Sequence, residues 1–375
     1  MVKEINYDLI SDFKEIINYY LYDERLSKDY FHVMSTAIRK TYGIDYVLPV
    51  STGTAALHTA LKAKGLSTDG QVLIPVHTCA SVAMAVIHAN GIPILVDTDE
   101  FLGMNPVELE KKLHSNVKAV IITHQYGIPS RINDLKRIIR KVSDRILIIE
   151  DCSQAHSSKI NQKYVGTTGD VSVFSFNKGK TINAGMGGVI CTNNRWLYKE
   201  AKRFSNLGSF TEPYHEIIGY NFQMSEISAL LIEYQLKKLE KAHAERQYNA
   251  ELYMSILKKL GVREYCSKIK GERSSYYRLV IDVSLKKDKY NQLVEYLKYK
   301  GHRFQAKHPD PLYKAKFLMN FYKDKGLTIL VDELDKGFYQ FKDQEESMIF
   351  LYCERINYQE IVALGEDIKI FLERG

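Results

Sequence analysis

Short apolar runs alternate with amphipathic stretches along the first half of the chain. The apolar runs contain few polar positions, as in Val-Lys-Ala-Val-Ile-Ile-Thr at residues 117–123. The stretches between them place apolar residues three or four positions apart, the spacing of one helix face. Buried strands that alternate with amphipathic helices predict an α/β fold, with a mainly parallel sheet that has helices on both faces.

Seven strands and seven helices are predicted in this part of the chain. The strands are predicted over residues 46–50, 71–74, 93–96, 117–123, 146–150, 171–175 and 188–191. The helices are predicted over residues 8–21, 30–42, 53–64, 81–89, 106–113, 133–142 and 195–206. Together they form the core of one large domain.

The pattern changes in the last part of the chain. A long, charge-rich helix is predicted over residues 224–260. A smaller unit follows, with a strand over residues 277–283 and helices over residues 290–299 and 358–372. We therefore predict a large α/β domain over residues 1–245 and a small C-terminal α+β domain over residues 246–375.

Composition narrows the class of protein. The chain has 375 residues, 45% hydrophobic and 26% charged, which is typical of a globular protein and excludes a disordered chain, a collagen or a coiled coil. The net charge of +7 comes from scattered basic residues, whereas a nucleic-acid binder concentrates them on one face. Five cysteines without a CxxC pair favour a reducing cytoplasm. Every apolar stretch is too short to span a membrane.

Polar residues that can bind a ligand follow the predicted strands. The segment Ser-Thr-Gly-Thr-Ala at residues 51–55 opens a helix directly after the first strand. Its free amides and the Thr54 hydroxyl can bind an anion, although the segment also suits an ordinary helix cap. Glu150 and Asp151 end another apolar strand. We expect this acidic pair in the cleft at the carboxyl edge of the sheet, with a helix cap as the alternative.

The loop before the last strand of the sheet carries two lysines and a glycine cluster. It reads Asn-Lys-Gly-Lys-Thr-Ile-Asn-Ala-Gly-Met-Gly-Gly over residues 177–188. Most loop lysines are simply solvated. A lysine that shares one cleft with an anion site and an acid predicts a cofactor bound through a Schiff base.

In their order and spacing, these motifs resemble those of the DegT/DnrJ/EryC1/StrS family, pyridoxal-phosphate-dependent aminotransferases of fold type I. The matching motifs are Ser-Thr-Gly-Thr-Ala (51–55), His-Gln-Tyr-Gly (124–127), Glu-Asp-Cys-Ser-Gln-Ala-His (150–156), Lys180 and Gly-Tyr-Asn-Phe-Gln-Met (219–224). The resemblance covers the predicted large domain closely and the rest of the chain more loosely. It implies a mainly parallel seven-stranded sheet, a small C-terminal domain, and pyridoxal 5′-phosphate as the cofactor.

The resemblance implies a role for each matching residue. Lys180 would hold the cofactor covalently and, once released, would carry a proton to and from the substrate. Asp151 would pair with the pyridine nitrogen of the cofactor, and Gln154 would hydrogen-bond its phenolic oxygen. The phosphate would be held by Gly53, Thr54, Ala55 and Ser175.

Other positions bear on the assembly and on the substrate. Asn221 would reach the phosphate in a neighbouring subunit, which implies a homodimer with shared active sites. Cys79 would contact the cofactor where the family often has a stacking aromatic residue, so we expect weaker stacking. Met186 and Gln223 replace the usual glutamate and arginine. Of several histidines near strand ends, His156 is expected to touch the substrate, and no residues have the spacing of a metal site.

The expected reaction moves an amino group from an L-amino acid, glutamate, to a keto-sugar that is linked to a nucleotide. It would serve the synthesis of amino sugars for surface polysaccharides or secondary metabolites. A cyclitol ketone is an alternative acceptor. Family members that dehydrate sugars replace the lysine, so Lys180 argues against that alternative. A ligand-binding protein without catalysis is the third possibility, and the intact set of Lys180, Asp151, Gln154 and Asn221 argues against it.

Overall fold

The structure, a computed structural model, describes Lys14 and residues 29–209, 214–306, 310–327 and 347–374. The helix predicted over residues 8–21 lies outside the described residues. Up to residue 205, the elements are α1 (Tyr30–Tyr42), β1 (Tyr46–Val50), α2 (Gly53–Ala63), β2 (Gln71–Pro75), α3 (Ala80–His88), β3 (Ile92–Val96), α4 (Pro106–Lys112), β4 (Val117–Thr123), α5 (Ile132–Val142), β5 (Leu147–Asp151), β6 (Lys159–Ile160), β7 (Lys163–Tyr164), β8 (Val171–Ser175), β9 (Gly188–Thr192) and α6 (Arg195–Ser205).

The elements that follow include the strands of a second, four-stranded sheet. They are α7 (Glu226–Lys237), α8 (Leu239–Leu257), β10 (Arg263–Glu264), β11 (Glu272–Arg273), β12 (Leu279–Asp282), α9 (Lys287–Tyr299), β13 (Phe304–Gln305), α10 (Lys316–Asp324), β14 (Met348–Leu351) and α11 (Tyr358–Arg374). Three short 3-10 turns, Gln125–Gly127, Lys258–Leu260 and Leu312–Lys314, connect neighbouring segments.

The large sheet has seven strands in the order β1-β9-β8-β5-β4-β2-β3. Only β9 runs antiparallel to its neighbours, β1 and β8, and the other strand pairs of this sheet are parallel. Helices α1 to α7 all contribute buried residues to the hydrophobic cluster around it. The predicted seven-stranded, mainly parallel sheet is therefore confirmed. Because parallel strands share one carboxyl edge, the loops after β1, β2, β4, β5 and β8 converge there.

Asp170 fixes the strand that carries the predicted acid Asp151. Its carboxylate accepts two hydrogen bonds from Arg140 Nη2, at 2.6 and 2.7 Å, and one from the Ile148 amide at 2.7 Å. Arg140 also donates to the Ile146 carbonyl at 2.6 Å. A charge-assisted hydrogen bond between a guanidinium and a carboxylate is shorter and stronger than one between neutral groups. It therefore locks α5 onto the start of β5 and the residue before β8.

The single helix predicted over residues 224–260 is wrong. It breaks at Lys238, whose φ and ψ of −98° and 4° leave the helical region. Helix α7 buries Ala229 and Ile232 in the cluster around the large sheet, whereas α8 buries Tyr253 and Leu257 in a second cluster. The two helices thus pack on different cores, which requires the chain to change direction between them.

The second hydrophobic cluster lies around a four-stranded antiparallel sheet of order β10-β12-β14-β13. Helices α8, α9 and α11 also contribute buried residues to it. One later segment packs back on the large sheet: Leu318 and Tyr322 of α10 belong to the first cluster, and the Tyr322 hydroxyl donates to the Pro93 carbonyl at 2.5 Å. The predicted division into residues 1–245 and 246–375 stays a prediction.

A third sheet, of order β11-β6-β7, was not predicted from the sequence because its strands are only two residues long. Arg273 of β11 donates to the Ser157 carbonyl and pairs with Glu240 of α8 at 2.7 Å. These bonds join three segments that are distant in sequence. Within the described ranges, no helix has the length and apolar character needed to cross a membrane.

Candidate active site

A cavity opens at the carboxyl edge of the large sheet. The predicted site residues that line it are Gly53, Thr54, Cys79, Asp151, Gln154, Ser175 and Lys180. They follow or end β1, β2, β5 and β8, or lie on the loop before β9. Distant motifs of the sequence thus meet at one place because the strands that precede them share an edge.

One wall of the cavity is the start of helix α2. The amides of Gly53 and Thr54 make no hydrogen bond within the described part of the chain, whereas the Ala55 amide donates to Thr52 Oγ1 at 3.0 Å. A Cβ atom on Gly53 would lie 2.8 Å from Ser175 Cβ, so only glycine allows this close approach. Free amides at a helix N-terminus, with two hydroxyls beside them, can bind a phosphate. Ala55 lies buried behind this wall, and its predicted role stays a prediction.

Asp151 ends β5 in the cavity and is almost completely buried, at 9% exposure. Its Oδ1 atom accepts a hydrogen bond from the Ser153 amide at 3.0 Å. Oδ2 makes no hydrogen bond with any described residue. The carboxylate is therefore held at one oxygen and available to a ligand at the other.

Gln154 has its side-chain oxygen engaged by the protein. Oε1 accepts a hydrogen bond from the Tyr126 amide at 2.7 Å, so the side-chain nitrogen is the group left to donate. Tyr126 itself has a positive φ of 56°, which turns its amide into this position. The arrangement provides a donor on the cavity wall.

Lys180 lies in the cavity, whereas its neighbour Lys178 is exposed outside it. Lys180 Nζ is 5.3 Å from the centre of the Tyr277 ring. Burial lowers the pKa of Lys180, and the negative charge of Asp151 opposes this shift. A lowered pKa increases the fraction of neutral amine, which is the nucleophilic and basic form.

The expected acidic pair in the cleft is wrong, because only Asp151 faces the cavity. Neighbouring residues on a strand point to opposite sides, and Glu150 is fully buried behind β5. Its carboxylate accepts hydrogen bonds from the Gly166 and Thr168 amides, both at 2.8 Å, and lies 3.1 Å from His124 Nε2. Burial opposes ionisation, but these donors outweigh it and lower the pKa of Glu150.

His124 lines the cavity and connects it to this buried carboxylate, a pairing that sequence reasoning missed. The Ser130 amide donates to its Nδ1 at 3.0 Å, which leaves the proton on Nε2, facing Glu150. Ligand atoms of His124, Glu150 and Cys152 lie within 4.8 Å of one another. Both Glu150 oxygens already accept hydrogen bonds, so we assign no metal to this group.

Besides Ala55, two more predicted site residues do not line the cavity. His156 is fully buried, with its ring against Phe174 and Phe176 at centroid distances of 5.8 and 5.5 Å. Burial lowers the pKa of His156 to about 3, which keeps the ring neutral. Asn221 is exposed on another surface, where it forms an isolated bridge with Asn206. The structure therefore gives His156 no contact with a ligand in this cavity.

The three departures from the family pattern lie on or near the site. Cys79 is the residue before α3, and its exposed thiol lines the cavity. Met186 lines the cavity and is 59% exposed. Gln223 lies outside it and donates to the Asn206 side chain at 3.2 Å. The cavity wall thus lacks an aromatic ring at position 79.

Comparisons with known proteins agree with this geometry. The profile of the DegT/DnrJ/EryC1/StrS aminotransferase family matches residues 23–330. GDP-perosamine synthase of Escherichia coli O157:H7 is 36% identical over 214 residues, which cover 56% of this chain and 58% of that protein. L-glutamine:2-deoxy-scyllo-inosose aminotransferase of Streptoalloteichus tenebrarius is 31% identical over 253 residues, 63% of this chain and 58% of that protein. The chain spans about three fifths of the length of these curated relatives.

Solved structures show the same fold. The aminotransferase PseC of Helicobacter pylori, involved in the biosynthesis of pseudoaminic acid, superposes with a TM-score of 0.81, covering 97% of this chain and 96% of that one at 20% identity. Together, these structures define the class of fold, that of the aminotransferases of fold type I. The chain belongs to the DegT/DnrJ/EryC1/StrS aminotransferase family.

Proposed function

We propose that this chain transfers the amino group of an L-amino acid, glutamate, to a keto-sugar linked to a nucleotide, with pyridoxal phosphate as the cofactor. One observation carries the proposal: Lys180, Asp151 and Gln154 line the same cavity as an anion-binding helix start. The product would be an amino sugar for a surface polysaccharide or a secondary metabolite. The proposal follows from the site, because the fold alone supports many functions.

The residues of the cavity fit the cofactor group by group. The Gly53 and Thr54 amides and the Ser175 hydroxyl would hold its phosphate. Asp151 would pair with its ring nitrogen, and the Gln154 side-chain nitrogen would donate to its phenolic oxygen. When bound, pyridoxal phosphate supplies an electron sink that stabilises negative charge on the substrate carbon.

Lys180 supplies the proton transfer that such a reaction requires. An amine accepts a proton only in its neutral form, and burial lowers the pKa of Lys180 toward that form. Asp151 limits this shift, because its negative charge favours the protonated amine. Burial and the charge of Asp151 therefore act in opposite directions on the protonation of Lys180.

The names of the relatives support a nucleotide-linked acceptor and add L-glutamine to L-glutamate as an amino-group donor to test. Relatives named for a GDP-linked or a UDP-linked sugar support a nucleotide-linked acceptor. Other relatives are named for an inosose, a cyclitol ketone, and for L-glutamine as the donor. L-glutamate and L-glutamine are therefore the two donors that an experiment must compare.

The visible absorption spectrum of the purified protein, loaded with pyridoxal phosphate, tests the proposed function. We expect a yellow protein whose colour bleaches when L-glutamate is added, because the amino group moves to the cofactor. D-glutamate is the matched control and should leave the spectrum unchanged. L-glutamine added to a separate sample identifies the preferred donor. A protein that stays colourless with excess cofactor, or whose colour ignores every L-amino acid, would contradict the proposal.

We further propose a homodimer in which Asn221 completes the partner's site. Asn221 is exposed, outside the cavity of its own chain. Large apolar side chains are exposed around it: Ile218 at 92%, Leu207 at 46% and Tyr220 at 45%. The Leu207 amide donates to the Tyr220 carbonyl at 3.1 Å, so these residues form one patch. Exposed apolar patches of this kind mark protein–protein interfaces.

Complementation between two inactive variants tests this assembly. Lys180→Ala and Asn221→Asp chains are each expected to be nearly inactive as homodimers. A mixed dimer keeps one intact site, so a statistical mixture should recover about a quarter of the wild-type activity. Mixed dimers of the double variant with wild-type chains are the control and should be inactive, because each of their sites carries one substitution. Mixed dimers of the single variants without activity would contradict the role of Asn221.

A further inference from the structure

Arg278 and Lys180 lie on the same tyrosine ring. The guanidinium carbon of Arg278 is 4.5 Å from the centre of the Tyr277 ring, and Lys180 Nζ is 5.3 Å from that centre. The same guanidinium carbon is 3.8 Å from the centre of the Tyr352 ring. Two rings therefore hold the planar guanidinium in place beside the lysine.

Arg278 differs from Arg246 and Arg273 because no carboxylate of the described residues pairs with its charge. Arg246 pairs with Glu354, and Arg273 pairs with Glu240. Within the described ranges, no carboxylate pairs with Arg278. Its Nη1 donates to the Tyr277 carbonyl at 2.6 Å, and its Nε is buried without a hydrogen-bond partner.

An uncompensated guanidinium of this kind points to an anionic ligand. Removing a charged donor from water costs free energy unless it is paired and hydrogen-bonded. The planar fork of a guanidinium matches a carboxylate with two parallel hydrogen bonds. The start of α2, with Gly53 and Thr54, provides a separate anion site for the cofactor phosphate. Arg278 is therefore available to bind an anionic group of a substrate.

We propose that Arg278 binds the α-carboxylate of the amino-acid donor and so sets the affinity for that substrate. The inference rests on the proposed function, because it assumes that the donor's amino group reacts next to Lys180. In an amino acid, the carboxylate is bonded to the same carbon as the amino group. A carboxylate beside Lys180 is thus within the neighbourhood of Arg278, because both cations lie within 5.3 Å of the centre of the Tyr277 ring. The alternative ligand for Arg278 is an anionic group on the keto-sugar acceptor.

The backbone and the electrostatics agree with this placement. The Arg278 amide donates to the Tyr126 carbonyl at 3.3 Å, and Gln154 binds the Tyr126 amide on the cavity wall. The positive charge of Arg278 also contributes to the lowered pKa of Lys180. The two cations are therefore close enough to repel each other, and a carboxylate between them would relieve that repulsion.

The half-reaction with the donor alone tests the proposal. In Arg278→Gln, the L-glutamate concentration that gives half of the maximal bleaching rate should rise about 10- to 100-fold, since a charge-assisted pair is lost. Arg278→Lys keeps the charge without the fork and should lie in between. Arg303→Gln is the matched control, because Arg303 stacks on the same Tyr352 ring at 4.4 Å but is exposed. It should behave as the wild type.

Thermal unfolding of the protein without cofactor gives a second readout that does not need activity. Sodium succinate should raise the unfolding midpoint of the wild type and of Arg303→Gln, but not that of Arg278→Gln. Equal shifts in all three proteins, or none in the wild type, would overturn the proposal. A variant that saturates normally with L-glutamate but poorly with the keto-sugar would also overturn it, in favour of an anionic acceptor. If no amino-acid donor bleaches the wild type, the proposed function is wrong. The effect of succinate on the unfolding midpoint then still shows whether Arg278 binds a carboxylate.

Discussion

Lys180→Ala is expected to lower the rate of transamination by more than about 10⁴-fold, because the substitution removes both the covalent attachment and the proton carrier. No other amine lines the cavity within the described part of the chain, so none can replace it. Loaded with pyridoxal phosphate, the variant should also lose the yellow colour of a lysine-linked cofactor. The rate is measured as amino transfer from L-glutamate, with the visible spectrum recorded on the same samples.

Lys178→Ala is the matched control for this prediction. Lys178 lies two residues away on the same loop, is exposed, and does not line the cavity, so its removal should leave rate and colour unchanged. Lys180 Nζ makes no hydrogen bond with the described residues, and neither substitution should change the free energy of unfolding by more than about 1 kcal/mol. Full turnover by Lys180→Ala, or loss of turnover in Lys178→Ala alone, would contradict the assignment.

The sequence was informative about the large sheet for a physical reason. A strand buried on both faces must be apolar at nearly every position, and this pattern is visible without structural knowledge. Strands β1, β4 and β8 begin and end at the predicted residues, Tyr46–Val50, Val117–Thr123 and Val171–Ser175. The convergence of Lys180 and Asp151 on one cavity then follows from the shared carboxyl edge of the sheet.

What the sequence could not show depended on contacts between distant segments. Lys238 suits a helix interior, and α7 ends before it because α7 and α8 pack on different cores. The pairing of His124 with Glu150 requires β4 and β5 to be neighbours. Arg278 was not predicted as a site residue, because its lack of a carboxylate partner among the described residues is visible only in the structure. The alternation of side chains along β5 could have separated Glu150 from Asp151 in advance.

Asp151→Asn is expected to lower the rate of transamination by about 10²- to 10⁴-fold while the cofactor stays bound. Asparagine keeps the shape of the side chain and an oxygen that can accept the hydrogen bond from the Ser153 amide, which Asp151 Oδ1 accepts at 3.0 Å. It lacks the negative charge that would keep the cofactor's ring nitrogen protonated, and the electron sink depends on that proton. Binding is measured by the retained colour of the protein and the rate by amino transfer from L-glutamate.

Glu150→Gln provides the contrast that separates charge in the cavity from charge behind the sheet. Glu150 is fully buried, accepts hydrogen bonds from the Gly166 and Thr168 amides and pairs with His124. Glutamine would present an NH₂ group to one of these donors, so we expect a loss of stability of about 1–3 kcal/mol. The fraction that stays folded should keep much of its rate, since Asp151 is intact. A rate within tenfold of the wild type in Asp151→Asn, together with a larger loss in folded Glu150→Gln, would show that the carboxylate behind β5 matters more to the reaction than the one in the cavity.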